Sequence, residues 1–402
     1  MSFRPLPQLS TPPGFLWGAA TAAHQVEGNN VASDWWGLEH SGSPVITEPS
    51  GDAADHFSRW PEDLDILAGL GLNAYRFSLE WSRIEPEPGA ISAAALDHYR
   101  RMVAGCVERG LSPVVTLQHV TMPAWFRRAG GWQSDGAAER FAGFAETVLP
   151  VLNEGAEWVA TINEPSLQPL MSALHRGDPA ALNAWHGGPM PLATPEEVDA
   201  LVTAHRAARD VVRSGTQAKA GWTVVVHDMQ YGPEGEVHAK EWFEANEAPY
   251  LRASAGDDFI GVQNYTRSRF DADGEVLPGP DDRMTGIWEY YPEALGNAVR
   301  FTRSVVGDVP ILITENGLPT NDDAERVEFI DRALRSLDGA IADGADVRGY
   351  IHWSAIDNFE WALGYAPRFG LISVDPRTFE RTVKPSARWY GELARRQSFA
   401  GV

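Results

Sequence analysis

Eight apolar, β-branched runs recur along the chain, and stretches with helical periodicity fill the gaps between them. This alternation restricts the fold more than any other feature. The strand candidates are residues 15–21, 73–81, 112–119, 157–163, 219–226, 259–265, 310–314 and 347–353. Helical patterns cover 93–110, 137–151, 196–214, 236–253, 292–306 and 322–342. Pro61 is expected to open another helix, with Glu62 and Asp63 in its first turn. Short strands that are apolar on both faces belong to parallel sheets covered by helices. Eight such units in succession describe an α/β fold closed into a (β/α)8 TIM barrel better than an open doubly wound sheet. No Gly-x-Gly-x-x-Gly or phosphate-loop motif follows the first strand, which argues against a nucleotide site. A barrel of this kind accommodates the whole length, so residues 1–402 read as one domain.

Polar residues gather at one end of these runs. Glu164 follows Trp158-Val159-Ala160-Thr161-Ile162-Asn163 and precedes Pro165, while Glu315 follows Ile311-Leu312-Ile313-Thr314 and precedes Asn316-Gly317. A carboxylate is costly to bury, so an acid at the carboxyl end of a buried strand marks a site. Arg76, His119, Asn163, Gln263, Tyr265 and Trp353 also lie in or just beyond the later part of a strand candidate. In a barrel those ends converge on one face. Two carboxylates on separate strands are the minimum equipment for cleaving a glycosidic bond, one as acid and one as nucleophile or base.

Composition narrows the partners. The net charge of −22 opposes nucleic acid and anionic membranes, and disfavours strongly anionic substrates unless a local basic pocket intervenes. No apolar stretch is long enough to span a membrane, and residues 1–7 carry no apolar signal-peptide core. The single cysteine, Cys106, rules out an intramolecular disulfide and reads as a small buried hydrophobe, so a cytoplasmic protein is expected. His24, His40, His186, His205 and His227 show no metal-ligand spacing, and neither a metal nor another cofactor is expected. Fifteen tryptophans supply flat faces suited to sugar rings, although most, Trp17 among them, are expected to pack the core.

With these motifs in place, the chain resembles the family 1 glycoside hydrolases, the β-glucosidase family. The resemblance rests on Phe15-Leu16-Trp17-Gly18-Ala19-Ala20-Thr21-Ala22-Ala23-His24-Gln25-Val26-Glu27-Gly28, Tyr75-Arg76-Phe77-Ser78, Thr161-Ile162-Asn163-Glu164-Pro165, Thr314-Glu315-Asn316-Gly317, Asp357-Asn358-Phe359-Glu360-Trp361 and Arg368-Phe369-Gly370-Leu371. It implies a retaining β-glycosidase acting on a small neutral β-glycoside, a glucoside first and a galactoside or fucoside second. Glu164 would be the general acid/base and Glu315 the nucleophile. Arg76 and Tyr265 would support Glu315, and their donors would keep it ionised. Gln25, His119, Asn163, Gln263, Trp353, Glu360 and Trp361 would bind the sugar, with Glu360 ionised. Val120 stands where the family usually has a large aromatic. The stretch 166–192 is short for a loop that usually shapes the aglycone entrance. Two alternatives share these residues: a transglycosidase using a sugar or alcohol acceptor, and a non-catalytic sugar-binding barrel. The oligomeric state is left open.

Overall fold

In the computed structural model, which describes residues 4–181 and 193–400, eight parallel strands close into a barrel. His186, with the 182–192 part of the short loop after Glu164, lies outside the described residues. The barrel strands β1–β8 are Leu16–Ala20, Ala74–Ser78, Ser112–Gln118, Trp158–Asn163, Lys219–Val225, Phe259–Gln263, Ile311–Glu315 and Val347–Trp353. Each pairs in parallel with its sequence neighbours. β8 closes on β1, with Leu16 opposite Gly349 and Ala20 opposite Trp353. The principal helices following them, α1–α8, are His56–Leu70, Ala93–Glu108, Ala137–Thr147, Pro195–Gly215, Glu236–Asn246, Ala294–Val306, Asp323–Ala342 and Pro385–Ala400. This is the (β/α)8 barrel that the alternation predicts.

Local chemistry sets the boundaries. Thr194 and Glu197 form a reciprocal capping box at the start of α4, satisfying two N–H groups that the first turn leaves without helical partners. Ser92 and Asp322 cap α2 and α7 with side-chain acceptors. Four sequence expectations need correction. β2 ends at Ser78 rather than Trp81, because Glu80 accepts from the Ser82 N–H and caps a short helix, Trp81–Ile84. Pro61 does not open α1: the helix begins at His56 and runs through Pro61. Proline's fixed φ is helical, and burial of Leu64, Leu67 and Leu70 outweighs the one N–H it removes. The pattern over 137–151 breaks at Val148, and that over 236–253 breaks at Glu247. In both cases a proline (Pro150, Pro249) sits just inside the next helix and cannot continue the preceding hydrogen-bond ladder.

The core has two layers. One fills the barrel itself, with Leu16, Val114, Trp158, Phe259, Leu312 and Ile351 in mutual contact. The other lies between strands and helices and contains Trp17, packed against Phe15 at 4.9 Å, and the fully buried Cys106, whose thiol burial pushes up to about 12. Both residues are core, as their sequence context implies. No described helix is long and apolar enough to cross a membrane.

Candidate active site

The strand ends meet around one guanidinium. Arg76, on β2, is 1% exposed. Its Nη1 donates to Glu315 Oε1 at 2.5 Å and to the Thr314 carbonyl at 3.2 Å, its Nη2 to Asn163 Oδ1 at 2.6 Å, and its Nε to Thr116 Oγ1 at 3.2 Å. A planar fork with donors in fixed directions can thus tie β2 to β3, β4 and β7 at once. Asn163 Oδ1 also accepts from Thr223 Oγ1 and Gln263 Nε2, both at 2.9 Å, which brings β5 and β6 into the same network. Tyr265, just past β6, donates its hydroxyl to Glu315 Oε2 at 2.6 Å. Both oxygens of Glu315 are therefore held by donors.

Glu164 is held differently. It leaves β4 in the left-handed region (φ 47°, ψ 61°), and its backbone N–H donates to the Thr223 carbonyl at 2.9 Å. That conformation costs an L-residue about 1–2 kcal/mol and turns the side chain out of the strand register. Its carboxyl has no side-chain hydrogen bond among the described residues. Burial, then the neighbouring Glu315 charge, raise its pKa well above the ordinary value, with Arg76 opposing and Glu360 adding to the rise. Burial raises Glu315 as well, but Arg76, Tyr265 and Gln263 offset part of that increase. Of the two carboxyl groups, Glu164 thus keeps its proton to higher pH.

A cavity of about 290 Å³ opens above this pair. Gln25, His119, Glu164, Tyr265, Glu315, Trp353, Glu360 and Trp361 line it. Arg76, Asn163 and Gln263 lie in the polar network beneath and are not on its wall. His119 stacks on Trp353 with centroids 5.7 Å apart and planes at 12°, and burial and Arg76 keep its ring neutral. Asn163 Nδ2 is 3.4 Å from His119 Nε2, and His119 Nδ1 has no partner among the described residues. Trp361 stacks on His24 at 5.5 Å and meets Trp35 edge-on at 5.0 Å.

Glu360 corrects an expectation. Its Oε1 accepts from Asn358 Nδ2 at 2.8 Å and Trp353 Nε1 at 3.3 Å, and its Oε2 from Gln25 Nε2 at 3.2 Å. Burial nevertheless outweighs these donors and pushes the group up to about 8, so at neutral pH the protonated form is favoured over the ionised one expected from sequence. Val120, the residue in place of a large aromatic, lines the cavity at φ 65°, a conformation costly for a β-branched side chain.

Sequence reasoning did not pick out several wall residues: Leu167 and Met171 after β4, His227 after β5, and Ile287 and Trp288 in the loop before α6. His227 could have been found by the same strand-end rule. Trp288, which packs on Tyr265 at 4.8 Å, comes from a loop with no periodic signal. Among the described residues no group of three or more His, Cys, Asp or Glu is placed to hold a metal.

Comparisons with known proteins bear on the family and the fold. Residues 8–182 and 240–399 match the profile of Glycosyl hydrolase family 1. The chain is 33% identical to the thermostable β-glucosidase B of Thermobispora bispora, covering 96% of this chain and 91% of that one. It is 35% identical to a β-glucosidase of an Agrobacterium species, with 95% of each covered. Its fold superposes on a β-glycosidase from Pyrococcus horikoshii with a TM-score of 0.86 at 33% identity, covering 96% of this chain and 95% of the other. The profile reaches strands in both halves of the barrel and the relatives align along nearly the whole chain; this protein is a glycoside hydrolase and belongs to glycosyl hydrolase family 1.

Proposed function

We propose that the protein hydrolyses neutral β-glucosides with retention of configuration, through a covalent glycosyl-enzyme, using Glu315 as nucleophile and Glu164 as acid and base. The observation that carries this reading is the asymmetry between the two glutamates. Glu315 has both oxygens gripped by donors and is the first of the pair to ionise, whereas Glu164 has no side-chain partner among the described residues and holds its proton to higher pH. In the first step Glu315 attacks the anomeric carbon while Glu164 protonates the departing oxygen. In the second, Glu164, now ionised, takes a proton from water, and the water oxygen displaces Glu315. The carboxylate separation that suits this double displacement is about 5–5.5 Å.

Gln25, His119, Asn163, Gln263, Trp353, Glu360 and Trp361 are assigned to sugar binding. Asn163 and Gln263 act from the layer beneath the wall, where they also orient Arg76 and each other. The relatives named β-glucosidases support glucose as the first sugar. A relative in Bifidobacterium breve named a bifunctional β-D-glucosidase/β-D-fucosidase, 31% identical, supports fucose as a second. No Lys or Arg is among the described residues lining the cavity, which supports a neutral glycone. Residues 1–402 are assigned to one catalytic domain, and the lone buried Cys106 fits a reducing compartment such as the cytoplasm.

Replacing Glu315 by Ala tests the assignment. Hydrolysis of an aryl β-glucoside should fall by at least about a thousandfold, and added azide should restore part of it by standing in for the carboxylate. Near-normal turnover in that variant would remove Glu315 from the chemistry. Nuclear magnetic resonance of the first product should give the β-anomer; an initial α-anomer would exclude the covalent route.

A further inference from the structure

The cavity wall carries two histidines whose surroundings set them apart. His119 is enclosed and held neutral by burial and by Arg76. His227, two residues past β5, keeps 29% of its side chain exposed. Its Nδ1 lies 2.7 Å from Glu247 Oε1, and the same oxygen accepts from the His227 backbone N–H at 3.0 Å. Since a carboxylate oxygen only accepts, Nδ1 carries a proton in this contact and Nε2 is the nitrogen left to face outward. Glu247, at the break after α5, is 1% exposed, and Trp242 meets the imidazole edge-on at 5.2 Å. Burial opposes the charged ring, but Glu247 and Glu275 favour it, and the balance is a pKa above the ordinary value. Asp228, the next residue, is turned to Gln230 and Asn297 instead.

His227 also stands on the leaving-group side of the reaction. β5 is paired with β4, and the Glu164 N–H donates to the Thr223 carbonyl on β5. The group that Glu164 protonates departs on the Glu164 side. The wall there is made by Leu167 and Met171 beyond β4 and by Val225, Val226 and His227 at the end of β5. Apart from His227 the described residues of this wall are apolar. Among the described residues lining the cavity, His227 is the base whose surroundings favour a positive charge. A net charge of −22 repels anions in general, so a cation at this point acts selectively on an aglycone already seated in the cavity.

We propose that His227 is a specificity-determining residue on the aglycone wall, selecting β-glycosides whose leaving group carries a carboxylate. This rests on the β-glycosidase reading above and adds the aglycone class to it. The probes are 4-carboxyphenyl β-glucoside and its methyl ester, which differ in charge at the far end of the aglycone. The measured quantity is the ratio of their kcat/KM values within each enzyme, which cancels general losses of activity. Against His227→Gln, the unmodified chain should favour the carboxylate by about fivefold near neutral pH. That preference should fade as pH rises through the His227 titration, and the variant's ratio should show no such step. Glu247→Gln should move the fading to lower pH, because the ring then lacks its counter-charge. The pH dependence in the unmodified chain tests the idea even where a variant does not fold. A ratio that is independent of pH and unchanged in His227→Gln would overturn the proposal. Failure of the unmodified chain to hydrolyse either glucoside would instead overturn the β-glucosidase reading, and this proposal with it.

Discussion

Tyr265 and Arg76 take one oxygen of Glu315 each, and the Tyr265 contact gives a prediction at the scale of a single atom. Its hydroxyl donates at 2.6 Å to the ionised form, which lowers the pKa that burial has raised. Tyr265→Phe deletes the donor and keeps the ring against Trp288 and Phe369. The Glu315 pKa should therefore rise. The acid limb of kcat/KM, where the nucleophile must lose its proton, should move to higher pH by about one unit. A pH–rate profile with an unmoved acid limb would mean that Arg76 and Gln263 set the ionisation of Glu315 without Tyr265. Most of this cluster was legible in the sequence, because the residue at the carboxyl end of a buried strand has one place to go in a barrel. The protonation of Glu360 was not. It depends on how completely the fold encloses the carboxyl, a balance between desolvation and the Asn358, Trp353 and Gln25 donors that a linear motif does not contain.

Between elements, the turn after β7 positions the nucleophile. Asn316 accepts from the Trp353 N–H at 3.0 Å through its carbonyl and from Tyr350 OH at 2.8 Å through its side chain, while its Nδ2 donates to the Asn264 carbonyl at 2.7 Å. The turn is thus stitched to β8 and to the end of β6. Gly317 permits the approach, since a Cβ there would lie 1.8 Å from the Trp353 carbonyl oxygen, a backbone atom that cannot swing aside. Gly317→Ala should push β7 from β8, lower stability by roughly 2–4 kcal/mol and displace Glu315 and Trp353 together. Gly69, inside α1, has open space for 4 Å around the point where a Cβ would stand, and it provides the opposite sign. Gly69→Ala should stabilise by about 0.5–1 kcal/mol with activity retained. Calorimetry and aryl-glucosidase assays on the pair check both, and a Gly317→Ala protein with normal melting and turnover would refute the close-approach argument. The succession of elements was readable from periodicity because each strand is apolar on both faces. Their ends were less so: the breaks at Val148 and Glu247 turn on whether a proline falls inside a helix or at its start, and packing decided differently at Pro61.

Across the whole molecule, buried titratable groups fall into sets whose effects on stability have opposite signs. Asp34, Glu39 and Asp63 sit below their ordinary values despite burial, held by Arg127, His24 and Arg381 with their neighbours. Their contribution is present above the unfolded carboxylate range and is lost as pH falls through their folded pKa values. His98 and His352 are pushed down by burial to about 4 and about 3, so protonation in the unfolded chain weakens the fold below about pH 6.5. Glu27, Glu164, Glu315 and Glu360 act the other way. The folded state binds their protons more tightly, and stability falls as pH rises from the unfolded carboxylate value towards their raised ones. His227, raised by Glu247, contributes stability that is likewise lost on the alkaline side. Between about pH 6.5 and 8 the unfolded histidines lose their last protons while the raised groups keep acting, so the melting temperature should decline over the upper part of that interval. Glu360, raised to about 8, should account for on the order of 2 kcal/mol of the decline. Glu360→Gln keeps an acceptor for Asn358 and removes the proton exchange, so its melting temperature should change less over the same interval. Equal slopes in the two proteins would mean that Glu360 does not titrate there, and its assignment as a protonated sugar contact at neutral pH would fall.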